Sequence, residues 1–179
     1  MVSTIEQEGQ PTQFPVSITQ ADIEVRLKDL KIKGRIGEND LGFYQKYYFD
    51  LLETYRTIEP KLRIEDHLIA RLCQVLTNNG LITRESCQGH PDEEKLPFVY
   101  FVTRKASALK LVSKVVRAES PLKNFAWQIS VYTGDLSKPV GYWLEPEPRV
   151  VTNLTQVHPK LIQDLDYLGL SIMSSFLES

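Results

Sequence analysis

The residues best suited to chemistry lie together in one short segment, residues 86–91. The segment runs Ser86, Cys87, Gln88, Gly89, His90 and Pro91. Because glycine and proline favour a tight turn, the chain could bring the Cys87 sulfur within hydrogen-bond reach of the His90 ring. A neighbouring imidazolium lowers the pKa of a thiol, and the thiolate is the nucleophile in cysteine catalysis. Cys87 and His90 are therefore the candidate catalytic residues.

Two other interpretations of the 86–91 segment stay open beside catalysis. In one, Ser86 and Gly89 line a ligand-binding site, since binding residues concentrate on loops that rigid strands hold. In the other, the segment is an ordinary turn with its thiol under the sheet and its imidazole in water. If the segment is catalytic, His158 or the acidic residues at 92–94 could orient the His90 imidazole. All three interpretations are compatible with the sequence.

Cys87 and His90 also have the spacing of a zinc-ligand pair, yet we predict no metal site. A structural zinc ion takes four ligands, usually from two close pairs, and the sequence offers no second pair. The other cysteine, Cys73, falls in the apolar stripe of a predicted helix, as a small core residue does. His67 lies one position off that stripe. Both side chains would have to leave their helical faces to reach a metal ion.

Basic residues accumulate after the 86–91 segment. No acidic residue lies between Glu94 and Glu119, and this stretch contains Lys95, Arg104, Lys105, Lys110, Lys114 and Arg117. The last three share one face of a predicted helix, opposite its apolar stripe. Such a face is often only solvated, but it could also hold a phosphate-bearing ligand or an RNA backbone. All of these residues except Lys95 are therefore candidate ligand-binding residues.

Composition bounds the class of protein. A chain of 179 residues is long enough to bury one substantial hydrophobic core and is short for two ordinary domains. A net charge of -2 argues against a protein that coats nucleic acid, because such domains are usually strongly basic. Two cysteines demand no disulfide framework, and we find no secretion signal or membrane-spanning stretch. We therefore expect a soluble cytoplasmic protein. Dinucleotide-binding, P-loop, zinc-protease and serine-hydrolase motifs are absent from the sequence.

The order of apolar patterns predicts the fold. Residues 1–18 are polar and without periodicity, which predicts a flexible tail before a single domain at 19–179. Helical patterns lie at 19–30, 43–55, 63–79 and 108–117, and strand patterns at 81–84, 97–103, 125–132 and 140–144. The first helical pattern also alternates like a strand. Proline at 159 predicts that a last helix opens at 158. This order predicts an α+β domain: a mainly antiparallel four-stranded sheet, formed by a β-β-α-β-β block, packed by N-terminal helices and a C-terminal helix.

One predicted helix, at 43–55, carries a wide aromatic and apolar row. The row consists of Phe43, Tyr44, Tyr47, Tyr48, Leu51, Leu52 and Tyr55. We favour core packing for it, with the tyrosine hydroxyls reaching the edge of the core. The alternatives are a platform on which bases stack and the interface of a homodimer.

Residues 79–90 resemble a motif of the wybutosine-synthesising tRNA methyltransferases. Those proteins carry Ser-Cys-x-Gly-Arg after an apolar, threonine-rich strand. Ser86, Cys87 and Gly89 match the motif, whereas His90 replaces its arginine and the Thr/Ser run before the cysteine is interrupted. The segment is also similar to the Ser-Cys-x-Gly-His turns of small uncharacterised bacterial and phage proteins. The resemblance implies an S-adenosylmethionine-dependent modification of tRNA, and the missing arginine leaves both the cofactor and the substrate open.

Three hypotheses of function follow. The first is a domain that binds an anionic ligand (a nucleotide, a cofactor or an RNA segment) beside the 86–91 segment and the basic helix. The second is an enzyme that uses Cys87 and His90 or that modifies tRNA with S-adenosylmethionine. The third is a non-catalytic structural or interaction protein that forms a homodimer through its aromatic helix. The sequence alone identifies no cofactor.

Overall fold

The computed structural model describes residues 14–61, 66–118, 123–132, 140–147 and 153–179. Its helices are α1 (Gln20–Ile32), α2 (Leu41–Arg56), α3 (His67–Asn78), α4 (Ala106–Arg117) and α5 (Leu154–Leu177). Its strands are β1 (Ile82–Cys87), β2 (Phe98–Val102), β3 (Trp127–Tyr132) and β4 (Gly141–Pro146). Within the described ranges, no helix is both long and apolar enough to span a membrane. The predicted α+β class with a four-stranded antiparallel sheet is confirmed.

The topology of the sheet decides what lies near the 86–91 segment. The strand order is β1-β2-β4-β3, and each neighbouring pair is antiparallel. Cys87 lies opposite Phe98, and Ile82 lies opposite Val102. The 86–91 segment therefore leaves the sheet at the end where β2 begins. Helix α4 starts from the opposite end of β2 and connects it to β3, on the far side of β4.

Alternation along β2 separates two unlike faces of the sheet. Val99 and Phe101 are fully buried and belong to the hydrophobic core that the helices share. On the other face, Phe98 and Tyr100 are half-buried and lie outside that core. Their rings contact Trp143 of β4, with centroids 4.6 and 5.2 Å from the indole. One face thus packs against helices, and the other carries a cluster of aromatic rings.

Helix α1 begins with a capping box. The Thr19 hydroxyl accepts the Asp22 backbone N–H at 3.2 Å, and the Asp22 carboxylate accepts the Thr19 backbone N–H at 2.8 Å. This reciprocal pair satisfies donors that every helix leaves unpaired at its start. The helical interpretation of residues 19–30 is confirmed, and the strand alternative is wrong.

The packed domain begins before the predicted start at residue 19. Ile18 is fully buried in the core, and the Ser17 backbone N–H donates to Asp166 Oδ2 at 2.6 Å. Residues 14–18 therefore belong to the domain and not to a flexible tail. The rest of the predicted tail, residues 1–13, lies outside the described residues.

Core packing accounts for much of the aromatic row on α2, as predicted. Leu51, Leu52 and Tyr55 are buried, with Leu52 and Tyr55 fully enclosed. Phe43, at the other end of the row, is 68% exposed. The homodimer interface on this helix stays a prediction.

Helix α5 begins earlier than the sequence predicts. The Asn153 side-chain oxygen accepts the Gln156 backbone N–H at 3.3 Å, so the helix starts at Leu154 and Pro159 lies inside it. Asparagine is one of the favoured capping residues, and its signal competes with that of the proline. The predicted start at residue 158 is therefore wrong by about one turn.

The same helix buries a carboxylate, Asp164, beside the start of β3. Asp164 is fully buried and accepts the backbone N–H groups of Asn124 at 2.6 Å and Phe125 at 2.9 Å. It also accepts the indole N–H of Trp127 at 3.0 Å. Burial raises the pKa of the Asp164 carboxyl, and these hydrogen bonds act against that rise. The side chain thereby fixes the position of β3 on α5.

A second buried carboxylate, Asp166, faces the N-terminal part of the domain. It accepts hydrogen bonds from the Ser17 hydroxyl at 2.6 Å and the Tyr55 hydroxyl at 3.0 Å, in addition to the Ser17 N–H. Burial also raises the pKa of the Asp166 carboxyl, and the hydrogen bonds from Ser17 are the largest opposing effect. Asp166 therefore ties α5 to α2 and to the segment before α1.

We predict that Asp164→Ala lowers the free energy of unfolding by about 3 kcal/mol. The substitution leaves buried N–H donors, including the Trp127 indole, without a hydrogen-bond acceptor. Urea denaturation followed by circular dichroism measures this change. Asp50→Ala is the matched control. Asp50 is exposed on α2 and forms a surface ion pair with Lys46, so its loss should cost less than about 0.5 kcal/mol. Equal losses in the two variants would contradict the role of Asp164.

Candidate metal site

In the structure, the 86–91 segment is partly strand and partly turn. Cys87 is the last residue of β1, and Pro91 opens a short 3-10 turn, so only the residues between them form the bend. Gly89 has φ of +86°, a left-handed conformation that favours glycine. The backbone N–H of His90 donates to the Lys95 carbonyl at 2.8 Å, and the N–H of Lys95 donates back at 3.0 Å. Backbone hydrogen bonds therefore fix the segment.

Asp66 forms a cluster with Cys87 and His90. One ligand atom from each residue lies within 4.8 Å of the other two. The Asp66 Oδ2 atom is 3.9 Å from His90 Nε2 and accepts the Gln88 backbone N–H at 2.9 Å. The Cys87 sulfur accepts the Gly89 backbone N–H at 3.3 Å. Among the described residues, this is the one group of three histidine, cysteine or acidic side chains with such spacing.

Asp66 occupies the N-cap position of α3, but its side chain does not cap the helix. An aspartate at this position ordinarily accepts a backbone N–H of the first helical turn. Here the carboxylate is turned toward Gln88 in the 86–91 segment. Helix capping therefore does not explain the orientation of Asp66.

The environment of Cys87 is that of a protonated thiol. The residue is only 3% exposed, and burial raises the pKa of its thiol. The Gly89 N–H and the charge of Lys95 lower the pKa, whereas the Asp66 carboxylate raises it further. A cysteine nucleophile requires the opposite environment, with a lowered pKa and some exposure. The cluster opens to solvent on the side of Asp66 and His90, whose side chains are 21% and 36% exposed.

Residues of α5 and α3 form hydrogen bonds with the 86–91 segment. His158 of α5 places its Nε2 atom 3.1 Å from the carbonyl oxygens of both Gln88 and Gly89. Because both partners are acceptors, Nε2 carries a proton and donates to them. The Gln88 side-chain oxygen accepts the backbone N–H of Leu68 in the first turn of α3, at 3.3 Å. His158 thus fixes the backbone beside His90 and does not orient its imidazole.

Three polar candidates near the cluster lie outside it. Ser86 interacts through its hydroxyl with the thiol of Cys73, which is fully buried on α3. Burial raises the pKa of Cys73 to about 12, and the Ser86 hydroxyl opposes that rise. His67 is exposed, with its ring 5.5 Å from that of Phe14. Cys73 is a core residue, as predicted, and neither it nor His67 completes the cluster.

The register of the sheet separates Arg104 and Lys105 from the 86–91 segment. Both residues follow β2, at the end where Ile82 lies opposite Val102. The strand between Ile82 and Cys87 spans about 17 Å at roughly 3.4 Å per residue. The structure therefore does not bring these two candidate ligand-binding residues to the segment.

The basic face of α4 is also remote from the segment. Lys110, Lys114 and Arg117 are exposed on this helix, which packs against α5 and β3. Because β1 and β3 are the two edges of the sheet, α4 lies away from the edge strand that carries Cys87. Arg117 lines a separate cleft of about 570 Å³, together with Lys123. One small ligand cannot touch both the segment and this helix.

Comparison of the chain with protein-family models, curated proteins and solved structures finds no match. The resemblance of residues 79–90 to the tRNA methyltransferase motif therefore stays a prediction that rests on its matching residues. Asp66 was missed because it lies far from Cys87 along the chain and because aspartate before a helix ordinarily indicates a cap. The arrangement of Asp66, Cys87 and His90 carries the functional argument.

We predict that iodoacetamide labels both Cys87 and Cys73 much more slowly in the native, metal-free protein than in the unfolded chain. Both thiols are at most 3% exposed and have raised pKa values. Each unit of rise in a thiol pKa lowers its thiolate fraction about tenfold at neutral pH. Mass spectrometry of labelled peptides measures the rates, and the urea-unfolded chain is the control. Rapid, selective labelling of Cys87 would restore the nucleophile hypothesis.

Proposed function

We propose that Asp66, Cys87 and His90 bind one divalent transition-metal ion, with zinc as the preferred metal. The convergence of their three donor atoms within 4.8 Å carries this proposal. Donor atoms in a tetrahedral zinc site lie roughly 3.3–3.8 Å apart, given bonds of about 2.0–2.3 Å. Small side-chain movements therefore suffice to close the site on an ion. A thiolate, an imidazole and a carboxylate together suit zinc better than magnesium or calcium.

The charges at the site favour a cation as the first ligand. Asp66 supplies a carboxylate, and Cys87 becomes an anion when its proton is displaced. An anionic ligand placed directly on the 86–91 segment would meet the Asp66 carboxylate, which is 2.9 Å from the Gln88 backbone nitrogen. A metal ion instead compensates both negative groups. It also accounts for a buried thiol that is poorly suited to act as a free nucleophile.

The site has the ligand number of a catalytic zinc centre. Three protein ligands leave a fourth position for water or substrate, as catalytic zinc sites do. Asp66 and His90 would hold the ion at the partly exposed side of the cluster, and Cys87 would hold it from the buried side. Bound there, zinc would supply a water whose pKa is about 7 and would polarise a substrate oxygen, so hydrolysis is the proposed reaction class.

We expect the metal-free wild-type protein to bind one zinc ion per chain, measured by isothermal titration calorimetry. Loss of a direct metal ligand should weaken zinc binding by more than about 100-fold in each of three variants, Cys87→Ser, His90→Ala and Asp66→Asn. About 100-fold is the largest loss expected when a mutated residue contacts only a ligand and not the metal. Cobalt in place of zinc should give a thiolate charge-transfer band that Cys87→Ser abolishes. His158→Ala should weaken binding about 10–100-fold and keep the band, because it only loosens the segment.

His67→Ala is the matched control for the zinc experiment. His67 neighbours Asp66 along the chain and is exposed, yet it lies outside the cluster. Zinc at 100 times its dissociation constant should also stabilise the protein by about 2.7 kcal/mol. Absence of binding, or equal affinities in His67→Ala and His90→Ala, would refute the metal site.

A second candidate function, stacking of nucleic-acid bases, rests on the aromatic face of the sheet. Phe98, Tyr100 and Trp143 lie on the two central strands, and the ring of Tyr132 is 6.1 Å from that of Tyr100. Single-stranded nucleic acids bind to such platforms by stacking bases on aromatic rings. Arg104 and Lys105 are exposed just beyond the Val102 end of β2, where they could contact phosphates. This face supports the RNA segment among the predicted ligands.

For this candidate, we expect single-stranded RNA to quench tryptophan fluorescence and Tyr100→Ala to weaken binding by about 1–3 kcal/mol. Trp127 is 2% exposed, so quenching would report on Trp143. Tyr142→Leu is the control, because Tyr142 is the neighbouring residue of β4 and stacks on core residue Phe101. Equal affinity in Tyr100→Ala and wild type would exclude stacking on this face.

A further inference from the structure

A groove far from the proposed metal site lies between the start of α2 and the C-terminal ends of α4 and α5. Its volume is about 440 Å³. The α2 wall consists of Phe43, Tyr44, Tyr47 and Tyr48, and the α5 wall consists of three serines and Glu178. Among the described residues, none that lines the groove is lysine, arginine or histidine. The groove therefore combines aromatic rings, hydroxyl groups and one negative charge.

The four rings of the α2 wall form two rows. Phe43 and Tyr47 are nearly parallel, with centroids 6.4 Å apart and an angle of 14° between the rings. Tyr44 and Tyr48 form the second row, at 6.5 Å and 24°. The ring planes of the two rows are nearly perpendicular, since the Tyr47 and Tyr48 rings make an angle of 78°. The groove is thus lined by aromatic rings in two orientations, and the electron-rich face of an aromatic ring attracts cations.

Hydrogen bonds hold the Glu178 carboxylate at this wall. The Tyr47 hydroxyl donates to Glu178 Oε1 at 2.7 Å, and the Ser174 hydroxyl donates to the same oxygen at 3.2 Å. Within the described part of the chain, the second oxygen, Oε2, has no hydrogen-bond donor. Burial raises the pKa of Tyr48 to about 12, further above physiological pH than that of an ordinary tyrosine, so this neighbouring ring adds no charge. The wall accordingly carries a negative charge with one oxygen left for a ligand.

The C-terminal end of α5 adds to the negative potential of the groove. The C-terminal carbonyl groups of a helix carry a partial negative charge equivalent to about half an electron. α5 has no basic residue in its last turn to neutralise that charge. α4 also reaches the groove near its C-terminal end, through Val115 and Ala118, but Lys114 and Arg117 in its last turn offset the dipole there. The start of α2 has the opposite dipole, so the Glu178 carboxylate, the aromatic rings and the end of α5 are the features that favour a positive ligand.

We propose that this groove binds an organic ammonium group, with a quaternary or otherwise alkylated nitrogen. The alkyl groups of such a cation contact the rings while its charge faces the ring faces and Glu178. Alkylated ammonium groups are recognised by aromatic cages for this reason. A strongly hydrated metal ion gains little from aromatic walls, and an anion is repelled by Glu178. A free small cation and a methylated lysine side chain of another protein share this chemistry.

The test compares choline with 3,3-dimethyl-1-butanol, its neutral isostere, by titration of the tyrosine signals in NMR spectra. We expect choline to bind at least about tenfold more tightly, because the two ligands share a shape and differ in charge. Glu178→Gln and Phe43→Leu should each weaken choline binding about three- to tenfold. Phe43 is 68% exposed and Glu178 is exposed, so neither change should disturb folding, and circular dichroism verifies this.

Two controls separate this groove from the other surfaces of the protein. Tyr132→Leu removes an aromatic ring that is 53% exposed on the sheet, and His90→Ala alters the proposed metal site. Neither should change choline binding. A trimethyllysine peptide that binds more than tenfold tighter than choline would identify a protein side chain as the source of the cation, and weaker or equal binding would identify a free cation. Equal affinity for choline and its isostere, no saturable choline binding, or unchanged binding in both groove variants would overturn the proposal.

Discussion

The structure depends on the burial of two carboxylates on one helix. Asp164 and Asp166 of α5 are at most 2% exposed, and a buried carboxylate is costly unless hydrogen bonds satisfy it. Each residue of a helix turns the chain by about 100°, so the two side chains, which are two residues apart, point to nearly opposite sides of α5. One carboxylate therefore binds the start of β3, and the other binds α2 and the segment before α1. Satisfying both groups positions three other parts of the chain around α5.

The candidate metal site follows from this placement of α5. Once α5 is fixed, His158 near its start holds the Gln88 and Gly89 carbonyl groups. α3 packs against both α5 and β1, so the residue before it, Asp66, lies beside the same segment. The three side chains of the cluster thus come from a strand end, a loop and the start of a helix. Their geometry is set by backbone contacts to rigid elements, as a pre-organised site requires.

The sequence predicted the elements well because their patterns are local. Apolar spacing marks α2 and α3, a nearly continuous apolar and aromatic run marks β2, and alternation of apolar and polar residues marks β3. The site was predicted only in part, because its partners are distant along the chain. Cys87 and His90 were found by their spacing, whereas Asp66 carries no local signal that distinguishes it from a helix cap. Arg104 and Lys105 follow the segment in sequence, but β2 carries the chain away to the other end of the sheet.

The direction of α5 gives the molecule two electrostatically different ends. The helix has 24 residues, so its ends lie about 36 Å apart at roughly 1.5 Å per residue. Its first turns, where the dipole is positive, lie on the side of the 86–91 segment and favour negative charge there. Its last turn, where the dipole is negative, lines the aromatic groove and favours an organic cation. At this separation, exposed charges are screened from each other at physiological salt, so occupancy of one site should not alter affinity at the other through charge alone.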